Sequence, residues 1–287
     1  MTTTVRPGGS RVNEARLMYG TAWKEDRTEA LTAQALACGF RAIDTANQRR
    51  HYFEAGVGAA VAAALSRGEV TRSQLFLQTK FTYQRGQDHR LPYDPAAKLG
   101  EQVRQSFASS LEHLRTDHVD SYVLHGPERA SGLSAGDREV WRAMSELASA
   151  GRARALGLSN TSRDQLAALC ALATSEGWTR PAFVQNRCYA RKGWDRDVRA
   201  LCQREGIVYQ GFSLLTANPQ ALASAAVARA AERRGVTPAA IVFRFALDVG
   251  MLPLTGTTDP GHMREDLAVP SLEPLDEAER RAIEDIG

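Results

Sequence analysis

The chain is poor in several features, and each absence narrows its class. Of 287 residues only four are cysteine and 7% are aromatic, and 36 basic side chains face 33 acidic ones. Cys38, Cys170, Cys188 and Cys202 form no C-x-x-C pair and lie in helix- or strand-like stretches. They are expected as reduced, buried small hydrophobes, not as a disulfide framework. His89, His113 and His118 lack ligand spacing, so no metal site is expected. The basic residues are interleaved with acids and alanines, which excludes the concentrated basic face of a nucleic-acid binder. The longest uncharged apolar stretch, Ala55–Leu65, is too short for the ~20 residues of a membrane-spanning helix. Met1–Ser10 has no apolar core of the kind a secretory signal needs, which makes the cytoplasm the expected location. A G-x-G-x-x-G fingerprint after the first strand-like run, the usual mark of a doubly wound sheet, is also missing.

What the chain does have is a repeated alternation. Eight short apolar or β-branched runs occur, at Leu17–Thr21, Arg41–Asp44, Leu75–Lys80, Val119–His125, Arg154–Leu158, Ala182–Gln185, Ile207–Gly211 and Met251–Leu254. Helix-period stretches separate them. In Gln102–Leu114 the apolar Val103, Phe107, Leu111 and Leu114 share one face, and Arg138–Ala150, Arg163–Ala173, Asp195–Glu205, two stretches within Pro219–Leu247 and Asp276–Asp285 read alike. Ser162 with Gln165 forms a capping-box pattern, and Gly39, Gly151, Gly206 and Gly235 stand where helices end. Strand–helix alternation implies parallel strands joined by crossover helices, and eight such units predict a closed (β/α)8 TIM barrel. No composition shift divides the chain, so one barrel domain over residues 1–287 is expected, with 1–15 flexible. Thr82–Pro95 and Glu128–Gly136 read as surface loops, Trp141 and Met144 as core, and Trp178 and Trp194 as covers at element edges.

Active sites of such barrels lie at the carboxyl ends of the strands. The second, third and fourth runs end in Asp44, Lys80 and His125. Three successive ends bearing Asp, Lys and His converge in a barrel, and Asp44 is expected to pair with Lys80 because unpartnered charges there are costly. A nearby ammonium lowers the pKa of a phenol, which makes a tyrosine a competent proton donor to a carbonyl oxygen. Tyr52, in His51–Gly58, is the candidate.

These residues resemble the aldo-keto reductase signature. The likeness is carried by Phe40–Ala46, by Tyr52 and Glu54 before Val57-Gly58, by Thr79-Lys80, by Val119–His125 and by Gly157–Asn160, in the family's order from about Leu17 to Asp266. The resemblance implies a catalytic tetrad of Asp44, Tyr52, Lys80 and His125, with Tyr52 as general acid, Lys80 and Asp44 as its tuners and His125 orienting the carbonyl. It implies an NADPH cofactor, with NADH the alternative. Gly20 and Thr21 would lie near ribose and pyrophosphate. Asp44, Ser159, Asn160 and Gln185 would lie at the nicotinamide, Phe212 would stack on its ring, and Ser213 and Leu215 would follow the pyrophosphate. Gly256, Thr257, Thr258 and His262 would hold the 2′ end, and Glu265 and Asp266 the adenine.

The chain departs from the family pattern in places. The Asp44–Tyr52 interval is long, and simple counting puts Arg49 where the tyrosine belongs; Tyr52 is assigned from the landmarks after it. Gly256 and His262 replace a usual lysine and arginine at the 2′-phosphate, Gly126 replaces a frequent tryptophan, and no extended carboxyl-terminal loop follows Asp276–Asp285. An open pocket is therefore expected, lined by Trp23, Arg49, Arg50, Phe81, Tyr83, Arg187 and Tyr189, with the arginines suited to a polar or anionic substrate. The expected partner is a small-molecule carbonyl compound, not nucleic acid or a membrane, and the chain is expected as a monomer or weak homo-oligomer. Reduction of an imine or enone, and a cofactor-binding regulatory barrel with little turnover, are the competing readings.

Overall fold

The computed structural model describes residues 16–286. The flexibility expected of residues 1–15 falls outside them. Eight parallel strands, paired in sequence order, close into a barrel. The order is β1 (Met18–Gly20), α1 (Thr28–Cys38), β2 (Ala42–Asp44), α2 (Glu54–Ser66), β3 (Phe76–Phe81), α3 (Leu99–Leu114), β4 (Ser121–Leu124), α4 (Ala135–Ser149) and β5 (Leu156–Ser159). Next come α5 (Arg163–Ser175), β6 (Pro181–Arg187), α6 (Arg196–Glu205), β7 (Val208–Phe212), α7 (Pro219–Leu222), α8 (Ala225–Arg234), α9 (Pro238–Asp248), β8 (Met251–Thr255), α10 (Pro260–Ala268) and α11 (Glu277–Glu284). Every apolar run of the sequence overlaps one strand, with bounds that agree to within two residues. The segment predicted to carry two helices carries three, because Pro219 after Asn218 starts a one-turn α7 before α8. No helix among the described residues is long and apolar enough to cross a membrane.

Alternation along each strand sorts the side chains. Tyr19, Ile43, Leu77, Val184 and Tyr209 pack outward against the helices, in two large apolar clusters. Met18, Ala42, Phe76, Phe183, Leu252 and Leu254 form a separate, smaller cluster that fills the barrel near the strands' amino ends. Two residues further along the same inward rows stand Asp44, Gln78, Gln185 and Gln210, all buried, and Lys80 lies beyond Gln78. The barrel interior thus changes from apolar to polar along its axis, and the polar end is the carboxyl end.

Local signals fix the frame around this axis. Ser162 accepts from the Gln165 amide in a complete capping box, and Gly39 and Gly206 end their helices at φ 117° and 70°. At Gly58 a Cβ would lie 1.9 Å from the His113 carbonyl oxygen, so only glycine lets α2 approach α3 this closely. Two expectations change. Trp194 is fully buried, its indole N–H donating to Ile283 O at 3.0 Å. The loop after β3 is not merely surface, since it buries Thr82, Tyr83, Gln87 and Tyr93. All four cysteines are free, and Cys38 is only half-buried.

Candidate active site

At the carboxyl end of the barrel lies a cavity of about 1390 Å³. Its floor is built by β2, β3 and β4. Lys80 is completely buried and donates to both carboxylate oxygens of Asp44, at 2.7 and 2.8 Å, and to Thr45 O at 2.8 Å. All three ammonium protons are therefore engaged. Burial pulls the Lys80 pKa down, against the opposing pull of Asp44. The ammonium lies 5.1 Å from the centre of the Tyr52 ring, and Tyr52 meets His125 edge-on with ring centres 5.9 Å apart. The four residues expected as a tetrad stand together, with Tyr52 rather than Arg49 at Lys80 and His125. Arg49 instead lies over the Phe53 ring at 4.5 Å.

The electrostatics differ from expectation in one respect. Burial, followed by the charge of Asp44, raises the Tyr52 pKa well above the usual phenol value. Tyr52 is a protonated phenol at neutral pH. Burial, then the charges of Lys80 and His51, drops the His125 pKa to about 3, so its imidazole is neutral. Its Nδ1 is 2.7 Å from the Thr82 hydroxyl. Behind the wall, Glu54 is buried, accepting from the Thr79 hydroxyl and lying 3.1 Å from His113 Nδ1.

From this floor the cavity extends across β5–β8 to the start of α10. Gly20, Asp44, Ser159, Asn160, Gln185, Phe212, Ser213, Leu215, Gly256, Thr257, Thr258, His262, Glu265 and Asp266, which the resemblance assigns to the cofactor, all line it. Thr21 does not: it is fully buried beneath, where its amide and hydroxyl both donate to Asp44 O. Asn160 and Ser213 adopt left-handed backbone at φ 51° and 56°, strain of a kind that clusters at functional sites. Burial raises the Asp266 pKa to about 6. Of the expected substrate residues, Trp23, Tyr83, Arg187 and Tyr189 line the cavity, whereas Arg49 and Arg50 do not. Phe81 does not either; adjacent to inward-facing Lys80, it faces outward and packs on Tyr83 and Tyr93 at ring distances of 5.5 and 5.7 Å.

Several lining residues were not anticipated. Lys24 is buried, donates to Gly256 O at 2.7 Å, and has its pKa lowered to about 8 by burial and then by Arg27. His51 stacks on Trp23 with ring centres 3.9 Å apart. Arg85, Arg129 and Lys192 stand on the rim. These come from loops, whose paths the sequence does not set. Gln78 and Gln210 were also missed, although both lie in phase with inward-facing residues, two positions before Lys80 and Phe212.

A sequence model described as the aldo/keto reductase family matches residues 8–287. Methylglyoxal reductase DkgA of Escherichia coli (strain K12) is 29% identical, over 86% of this chain and 81% of its own length. Deoxymugineic acid synthase 1-B of Triticum aestivum is 30% identical over 94% of this chain and 87% of its own. In three dimensions an aldo/keto reductase from Brucella melitensis matches with a TM-score of 0.77 at 25% identity, covering 95% of both chains. The aldose reductase of Schistosoma japonicum, 20% identical with a TM-score of 0.75, shares the fold. With a family match over residues 8–287, the chain belongs to the aldo/keto reductase family and is an NAD(P)-dependent oxidoreductase.

Proposed function

We propose that the protein reduces the carbonyl group of a small aldehyde or ketone to an alcohol, using NADPH, with Tyr52 as the general acid. The observation that carries this reading is the meeting of a protonated phenol, a neutral imidazole and a buried Lys80–Asp44 pair on one cavity floor. The cavity fits the cofactor. Its volume exceeds the ~300–1,000 Å³ of ordinary ligand sites, leaving room for an extended dinucleotide with a substrate beside it. At one end it offers the Phe212 face and the amides of Asn160 and Gln185, and at the other the polar Thr257, Thr258 and His262. Lys24, bonded to Gly256 O beside that polar end, supplies a cation for phosphate.

A bound reduced nicotinamide supplies the hydride. The chain's own residues manage the proton and the charge. Tyr52 donates its proton to the carbonyl oxygen as negative charge develops there. His125, tethered at Nδ1 by Thr82, leaves Nε2 to orient that oxygen. Lys80, held by Asp44 and Thr45 so that it cannot swing away, places positive charge beside the ring that becomes a phenolate. In the reverse direction the same tyrosine accepts the alcohol proton.

Fluorescence titration with NADPH and NADH, followed by a carbonyl panel on the wild type and Tyr52→Phe, tests the reading. Tight NADPH binding with turnover that disappears in the variant is the expected result. Binding of neither nucleotide would overturn it, and tighter binding of NADH would change the cofactor assignment alone.

A further inference from the structure

A ring of amides crosses the barrel just beneath the cavity. Gln78 on β3 and Gln210 on β7 face each other and exchange two hydrogen bonds, Gln78 Nε2 to Gln210 Oε1 at 2.8 Å and Gln210 Nε2 to Gln78 Oε1 at 3.0 Å. Gln78 Nε2 also donates to Asp44 Oδ1 at 2.8 Å. Gln185 Nε2, on β6, donates to the same Asp44 oxygen and to Gln210 Oε1, each at 3.0 Å. All four residues are buried.

The direction of every amide follows from one constraint. A carboxylate paired with Lys80 only accepts, so the atoms of Gln78 and Gln185 that face Asp44 are nitrogens. The second proton on each nitrogen points at Gln210, so the atom there is an oxygen. Gln210 must then turn its own nitrogen to Gln78 Oε1. No freedom remains in Gln78 or Gln210. Both protons of Gln185 Nε2 are engaged, and its Oε1 has no partner among the described residues. Gln185 lines the cavity.

We propose that Gln78 and Gln210 are positioning residues which hold the Gln185 amide in a single orientation, with Oε1 as a fixed acceptor toward the cavity for the N–H of a nicotinamide carboxamide. This rests on the reductase reading, in which Gln185 lies at the nicotinamide. An unrestrained amide rotates through 180° at little cost and offers a donor as readily as an acceptor. Here reversal would set oxygen against carboxylate and against the Gln210 oxygen, and so is closed off. The pair also joins β2 and β3 to β6 and β7, so the acceptor is registered against Asp44 and Lys80 rather than against its own strand alone.

The test compares the dissociation constant of NADPH with that of 2′,5′-ADP, which lacks the nicotinamide half, in the wild type, Gln210→Met and Gln78→Met. Each variant should bind NADPH about tenfold more weakly, the loss expected of one misplaced hydrogen bond, and 2′,5′-ADP within twofold of the wild type. In a Gln185→Met background, Gln210→Met should leave the NADPH constant unchanged, because its effect runs through Gln185. Equal weakening of both ligands would show a general structural role and overturn the proposal, as would additive losses in the double variant or an unaltered NADPH constant. Should one variant fail to fold, the other side of the pair gives the same comparison. A wild type that binds 2′,5′-ADP but not NADPH would overturn the cofactor reading itself, and that result is seen without any variant.

Discussion

The floor and the rim of the cavity are built on opposite principles. On the floor nearly every polar atom is engaged: Lys80 has three acceptors, Asp44 four bonds from three side chains, and the glutamine pair closes on itself. On the rim, Arg129, Arg187 and Lys192 are exposed, and the hydrogen bonds of Arg85 go to the carbonyls of Pro127 and Glu128, not to a carboxylate. None of these four has an ion-pair partner among the described residues, whereas arginines on the outer helices do, such as Arg234 with Glu279 at 2.7 Å. Buried charge is tolerable only when paired and bonded, so the floor admits little change, while solvated charge is cheap to vary. The chemistry is fixed where substitution is costly, and substrate choice is left where it is not.

The largest effect should come from the floor. Tyr52→Phe removes a proton donor but keeps the ring that packs against Lys80 and His125, so kcat should fall by about 10²–10⁴-fold with NADPH binding and melting temperature near wild type. A residual rate within tenfold of wild type would place the general acid elsewhere. Lys80→Met is expected to act on stability as well. It leaves the Asp44 carboxylate buried without its cation, a change that costs about 3–5 kcal/mol, visible as a lower denaturant midpoint. A Lys80→Met protein as stable as the wild type would break the contrast, since the floor would then tolerate an unpaired charge.

How far the sequence disclosed this division depends on the backbone. Asp44, Lys80 and His125 were legible because each ends an apolar run, and in a parallel barrel those ends meet. The period of two along a strand would also have reassigned Phe81, which must face away from Lys80, and would have flagged Gln78 and Gln210 as polar residues in an inward row. The rim was not legible. Arg49 and Arg85 are both loop arginines in the sequence, yet one lies over Phe53 outside the cavity and the other stands at its edge. The Tyr52 pKa is legible only in part: the strand ends bring an ammonium close to its ring, but the burial that raises the pKa depends on the whole wall around it.

A smaller effect should come from the rim. Arg85→Ala with Arg129→Ala should leave kcat for a neutral aldehyde unchanged and raise KM for its carboxylate analogue by up to about tenfold, an effect that added salt erases. Equal changes for both substrates would show that these cations do not select charge.

The smallest effect lies behind the floor, and it concerns pH. Two groups on the floor titrate far from neutrality: His125 stays neutral down to about 3, and Tyr52 stays protonated well above its usual range. His113 is different. Its hydrogen bond to Glu54 raises its pKa above the ordinary histidine value, with burial opposing. A histidine whose folded pKa is raised adds stability that is fully present below the unfolded value and is lost as pH rises through the folded one. The His113–Glu54 pair should therefore support the α2–α3 contact in mild acid and weaken above neutrality. Because His113 is partly solvated, the contribution should stay below ~1 kcal/mol. Melting temperatures of the wild type and His113→Gln should differ most near pH 5.5 and converge toward pH 8.5. A constant difference across that range would mean that packing against Glu54, and not the proton, is what His113 supplies.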